Sequence, residues 1–140
     1  MDVDALLDLV CRLALDLKHG GTASRPAAIR RALAAECRQH GLLTSTRERV
    51  DSRGTPDAYR GRIALVVAVR RPRPYQHKPA CLVAVEFARR TVRAKSKLKL
   101  KLIPPLVPIR TLVVLIHKLR CETPESEPGI DKVIHIGPES

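Results

Sequence analysis

The sequence predicts an α/β domain: a central mixed sheet of four strands flanked by helices, with a helical hairpin at the amino end. Three observations lead there. Two nearly continuous apolar, β-branched runs, Arg62 to Val69 and Cys81 to Ala88, have the composition of strands covered on both faces. Two amphipathic stretches with helix punctuation precede them. A strongly basic segment then separates the second run from another apolar run, as a crossover between parallel strands requires.

Residues 2 to 18 place Leu6, Val10, Leu13 and Leu17 on one helical stripe, with aspartates in the first turn where the helix dipole favours them. His19-Gly20-Gly21 ends this helix. Ser24 is an N-cap for a second helix running from Arg25 to about His40, with Pro26 in its first turn and Gly41 closing it. Its inner face continues through Ile29, Leu33 and either Glu36 or Cys37.

Leu43 to Asp51 alternates weakly and reads as a strand exposed on one side; residues 52 to 57 are turn chemistry. A second strand spans Arg60 to Arg70. The loop from Arg71 to Pro79 is stiffened by prolines and carries cations, which suits an ordinary hairpin loop and an arm along DNA about equally. After the strand at 81–88 comes the most basic segment, Arg89 to Leu102. Its second half alternates Lys and Leu, a strand period, yet both are good helix formers and a crossover is needed, so a helix is expected from Ala94 to Ile103. Pro104-Pro105 ends it, and Ile109 to His117 forms a fourth buried strand. These elements compose one domain over residues 1–120. Residues 121–140 read as a polar tail in which Lys132 to Ile136 could add an edge strand or else pair with another chain.

Charge narrows the partners. The 140 residues hold 26 Lys and Arg against 14 Asp and Glu, a formal charge of +12. Such an excess attracts polyanions, DNA before RNA, with an anionic membrane surface as a further option. Two Tyr, one Phe and no Trp argue against single-strand binding by base stacking and favour contacts to a phosphate backbone. The cations nearest the predicted sheet, Arg62, Arg71, Arg73, Arg89, Arg90, Arg93, Lys95 and Lys97, are the candidate phosphate contacts; on most surfaces such residues are simply solvated. Cys11, Cys37, Cys81 and Cys121 contain no Cys-x-x-Cys pair and the five histidines show no ligand spacing, so buried thiols in a reducing compartment, cytoplasmic or nucleoid-associated, are expected rather than zinc. The acidic amino terminus does not have the positive region of a signal peptide. The apolar tract at 98–116 is interrupted by charges and prolines, unlike a membrane span.

Glu86 is the residue that most needs explaining. A carboxylate inside an otherwise apolar strand is costly unless paired, hydrogen-bonded or bound to a cation. Taken alone, it reads as half of a structural salt bridge. Its surroundings read otherwise: Gly61-Arg62-Ile63-Ala64-Leu65-Val66, then Val85-Glu86-Phe87-Ala88, then Arg90-Thr91-Val92-Arg93-Ala94-Lys95-Ser96. In order and spacing, residues 25 to 117 resemble the PD-(D/E)xK, restriction-endonuclease-like nuclease superfamily. Its core runs helix, three strands, helix, strand. It supplies an Asp from a motif such as Gly-Arg-Ile-Asp-Leu-Val, Glu-x-Lys from the next strand, and basic groups from the following helix.

The resemblance implies a Mg²⁺-dependent (or Mn²⁺-dependent) DNA endonuclease in its intact form, with Glu86 as metal ligand and a homodimer compatible with cutting both strands. Two carboxylates at adjacent strand ends hold the ion that polarises a phosphoryl oxygen and activates water. Here Ala64 stands at the position of the metal-binding Asp and Ala88 at that of the Lys or second acid. Glu36 is a possible second ligand, because some relatives place an acid on the preceding helix, and Lys95 is a possible substitute for the missing lysine. The alanines are compatible with replacement by design, with natural loss of catalysis, or with an acid that has migrated, Asp57 or Asp51. A basic, non-enzymatic nucleic-acid-binding or nucleoprotein-assembly subunit is the rival expectation.

Overall fold

The computed structural model describes residues 1–17, 25–46, 48–51, 60–71, 79–89, 91–103, 106–116 and 127–136. Helix α1 (Val3–Leu15) starts at Asp2, whose carboxylate accepts the Ala5 N–H at 2.7 Å, and buries Leu6, Val10 and Leu13 as their spacing predicts. It stops at Asp16 rather than at residue 18, an acid being unfavourable at the negative end of the helix dipole. The expected stop at 19–21 lies outside the described residues. Helix α2 (Pro26–Gln39) has Pro26 in its first turn; its cap position is Arg25, which makes no side-chain cap bond, and Ser24 lies outside the described residues. Gly41, at φ 77°, closes the helix: its N–H donates to the Arg38 carbonyl and that of Leu42 to the Cys37 carbonyl.

Among the described residues seven strands follow: β1 (Leu43–Ser45), β2 (Glu48–Asp51), β3 (Arg60–Ile63), β4 (Leu65–Arg70), β5 (Pro79–Arg89), β6 (Ile109–Ile116) and β7 (Lys132–Ile136), with helix α3 (Ala94–Lys101) between β5 and β6. The main sheet has five strands in the order β1-β4-β5-β6-β7, not four. The β1–β4 and β4–β5 pairs are antiparallel, β5–β6 and β6–β7 parallel, so the sheet is mixed and α3 lies on the β5-to-β6 crossover. The fifth strand is β7, held at its start by Asp131. Its Oδ2 accepts the Thr111 N–H at 2.8 Å and the Thr111 hydroxyl at 3.0 Å, and its own N–H donates to Thr111 Oγ1.

Two single strands expected from the sequence are each divided. Residues 43–51 split into β1, which pairs with β4, and β2, which pairs with β3 in a separate two-stranded sheet. Residues 60–70 break at Ala64, so that β3 turns away to β2 while β4 stays in the main sheet.

Alternation along the central strands sets up two faces. Leu65, Val67, Cys81, Val83, Val85, Leu112 and Val114 meet α1 and α2 in the larger core. Ile63, Ala84, Ala88, Val113 and Leu115 meet Leu100 of α3 in a smaller one. Among the described residues no helix is long and apolar enough to cross a membrane.

Candidate functional site

Glu86 occupies the α3 side of β5, between Ala84 and Ala88 in the strand alternation, and is only 2 % exposed. Three donors satisfy it. The break at Ala64 leaves that residue's N–H without a ladder partner, and it donates to Glu86 Oε2 at 2.7 Å. The Ser96 hydroxyl donates to Oε1 at 3.2 Å. The Lys99 ammonium pairs with the same Oε1 and also donates to the Arg62 carbonyl at 3.0 Å. Ser96 and Lys99 are three apart and Ser96 and Leu100 four, so one stripe of α3 carries both the polar donors and the apolar anchor.

Ala64 touches Glu86 through its backbone, and Ala88 is buried on the same side of β5. Lys95 is exposed; the lysine that reaches Glu86 is Lys99, one helical turn further on. Glu36 does not join Glu86, because α2 packs on the opposite face of the sheet, against Val83 and Val85. The Cys37 thiol beside it is pushed from an ordinary 9.0 to about 11, chiefly by burial, then by the Glu36 charge, with Arg38 opposing. Burial likewise raises Cys11 and Cys81, and all three described thiols are free.

Asp51 ends β2 opposite Arg60, at the far end of the small sheet from Ala64, and Asp57 lies outside the described residues. The acid that register carries close to Ala64 is Glu48, whose position is opposite Ile63.

These residues do not fit a divalent ion. A carboxylate has about four lone-pair sites, and Glu86 already meets three donors, one of them a cation that would repel Mg²⁺. Ala64 contributes an N–H where a hard cation needs an oxygen. Among the described residues no group of three or more His, Cys, Asp or Glu is placed to hold a metal.

The candidate phosphate contacts also sort themselves. Arg62, Arg93 and Lys95 are exposed around α3 and β3, which touch each other, and Lys101, absent from the expected set, is exposed on the same helix. Arg89 is exposed at the end of β5 and Arg71 is half-buried beyond β4. Lys97 pairs with Glu127 at 2.7 Å. Arg73 and Arg90 lie outside the described residues. Sequence reasoning missed Ser96 and Lys99 as partners of Glu86; their helical spacing to the buried Leu100 was the available signal.

No family model matches this chain, and no curated protein and no solved structure shows significant similarity to it.

Proposed function

We propose that this chain is a DNA-binding domain built on a scaffold similar to that of PD-(D/E)xK nucleases, and that with Ala64 and Ala88 it binds phosphate backbones without cleaving them. The observation that carries this reading is the state of Glu86: a buried carboxylate at the family's metal-ligand position, neutralised by Lys99 of the basic helix. With β2 and β3 inserted as a separate two-stranded sheet, the order α2, β1, β4, β5, α3, β6 supports the scaffold, since it gives helix, three strands, helix, strand with the last two strands parallel. A helix with no acid in its first turn and exposed Arg93, Lys95 and Lys101 supports the polyanion surface.

The mechanism follows from charge. Cations on α3 and Arg62 of β3 would meet successive phosphates, releasing condensed counterions, while the Glu86–Lys99 pair holds the helix to the sheet. Hydrolysis in an intact form would require a second carboxylate at position 64.

Fluorescence anisotropy with duplex DNA across a salt series tests the binding: log K should fall linearly with log [salt], by about 0.9 per phosphate neutralised. Binding that is insensitive to salt, or vesicle binding that exceeds DNA binding at equal ionic strength, would sink it. Preference for RNA of equal charge would favour a nucleoprotein-assembly role. Nicking of plasmid in Mg²⁺ or Mn²⁺ by the Ala64→Asp, Ala88→Lys variant, absent in the unaltered chain, would support the nuclease scaffold; no nicking with intact binding would favour a basic subunit without that scaffold.

A further inference from the structure

Lysines alternate along α3, at 95, 97, 99 and 101, and a helix sets every second position about 200° apart. Lys95 and Lys99 therefore form one row and Lys97 and Lys101 another, on opposite flanks of the helix, with Ser96 and Leu100 buried between them. The two rows have different neighbours. Lys99 donates to the Arg62 carbonyl at 3.0 Å, so the first row faces β3. Lys97 meets the Glu127 carboxylate at 2.7 Å, and a methyl group placed on Gly129 would come 3.4 Å from Lys101 Cε, so the second row faces the turn that leads into β7. That turn is fixed at several points. The Ile130 N–H donates to the Glu127 carbonyl at 3.1 Å, Gly129 turns the chain at φ 82°, Ile130 packs on the cluster that contains Leu100, and Asp131 binds Thr111. Pairing with Lys97 therefore costs Glu127 only side-chain rotamer freedom.

A carboxylate on an ammonium takes the place and the charge that a phosphate oxygen would bring. We infer that Glu127 is a built-in stand-in for a phosphate: it keeps Lys97 out of contact with a bound polyanion, so that the interaction surface lies on the β3 flank of α3 and at its start, and ends at Lys97. The inference rests on the DNA-binding reading and sets the limit of that surface. An ordinary exposed ion pair makes a different prediction. It yields to a phosphate that the neighbouring cations already hold close, and Lys97 then contributes to binding like any other lysine. Here the acid is held on the helix by the turn beneath it, with side-chain exposures of 37 % for Lys97 and 25 % for Glu127.

The test uses the full chain and a DNA duplex, with fluorescence anisotropy across a salt series. Lys97→Ala should leave the slope of log K against log [salt] unchanged, whereas Glu127→Gln should steepen it by about 0.9, the contribution of one further phosphate. Adding Lys97→Ala to Glu127→Gln should return the slope to its starting value. Asp8→Asn, which removes an exposed acid from α1 on the other side of the sheet, controls for net charge and should not change the slope. Loss of about one unit of slope in Lys97→Ala alone, or equal slopes in Glu127→Gln and Asp8→Asn, overturns the inference and leaves DNA binding standing. An unaltered chain that binds no duplex overturns the DNA-binding reading instead; binding that then emerges in Glu127→Gln supports the masking of Lys97, and none in that variant overturns the masking too.

Discussion

The two faces of the central sheet use the same strands in opposite ways. Under α1 and α2, β5 presents Cys81, Val83 and Val85 to an apolar core built mainly of Leu, Val and Ile. Under α3 the same strand presents Ala84, Glu86 and Ala88, so that two small residues flank a buried carboxylate. Packing fills the first face; the second combines a smaller apolar cluster with hydrogen bonds to one buried carboxylate. The first resists change through volume and the second through the partners of Glu86, which makes the two separable by mutation.

The largest effect should come from the polar face. Glu86→Ala strands the Lys99 ammonium and leaves the Ala64 N–H without its acceptor, a loss expected to cost about 3–5 kcal/mol in urea unfolding. Glu86→Leu combined with Lys99→Met should recover at least half of that, because an apolar pair of similar volume needs no partners. A Glu86→Ala cost below about 1 kcal/mol would mean that the carboxylate is not desolvated. On the apolar face, Leu33→Ala in α2 removes a fully buried side chain and should cost about 2–5 kcal/mol through the cavity it leaves. No charge-neutralising second change should restore it.

The unequal legibility of the two faces has the same origin. Periodicity, caps and apolar runs locate α1 and α2 with their inward residues, and β5 and β6 as buried strands, since apolar burial is additive along a strand or helix and needs no knowledge of the partner. The polar face depends on azimuth and register, which a single chain pattern does not contain. An apolar run from 60 to 70 conceals the break at Ala64, because β3 leaves the main sheet only where β2 is present to pair with it. The Lys-Leu alternation of 97–102 gives no indication of which lysine points inward; the helix places Ser96 and Leu100 against the sheet and so selects Lys99 over Lys95. Glu36 has the right residue type on the wrong side, and only the packing of α2 on Val83 and Val85 reveals it. Composition does expose the oddity of Glu86, since a lone acid in such a strand requires a partner somewhere.

A smaller effect separates the faces by pH. Burial in the apolar core, helped by Glu36, raises Cys37 from 9.0 to about 11. Between those values the unfolded chain has lost a proton that the folded chain keeps, so stability is complete below pH 9 and falls as pH rises toward 11. Urea titrations should show a decline of about 1–2 kcal/mol over that interval. Cys37→Ala should reduce the decline to the part that the other buried thiols, Cys11 and Cys81, contribute, while Lys99→Met should leave the Cys37 component in place. An unchanged slope in Cys37→Ala would place the titrating group elsewhere.

The least costly changes to the fold should be the most informative about function. Arg93 and Lys95 are exposed at the start of α3, so Arg93→Ala and Lys95→Ala should leave the unfolding midpoint where it is, as surface substitutions usually do. Each should nevertheless reduce the salt dependence of DNA binding by about one unit in slope, if α3 lies along the phosphates. Arg12, exposed on α1 among Asp4, Asp8 and Asp16, provides the control: its removal takes away one positive charge from the opposite face. Net charge alone would make Arg12→Ala and Lys95→Ala equivalent; a bound surface centred on α3 makes only the second change the slope. Equal slopes in both variants would mean that the protein attracts DNA as a diffuse +12 polycation, and would remove α3 from any specific role.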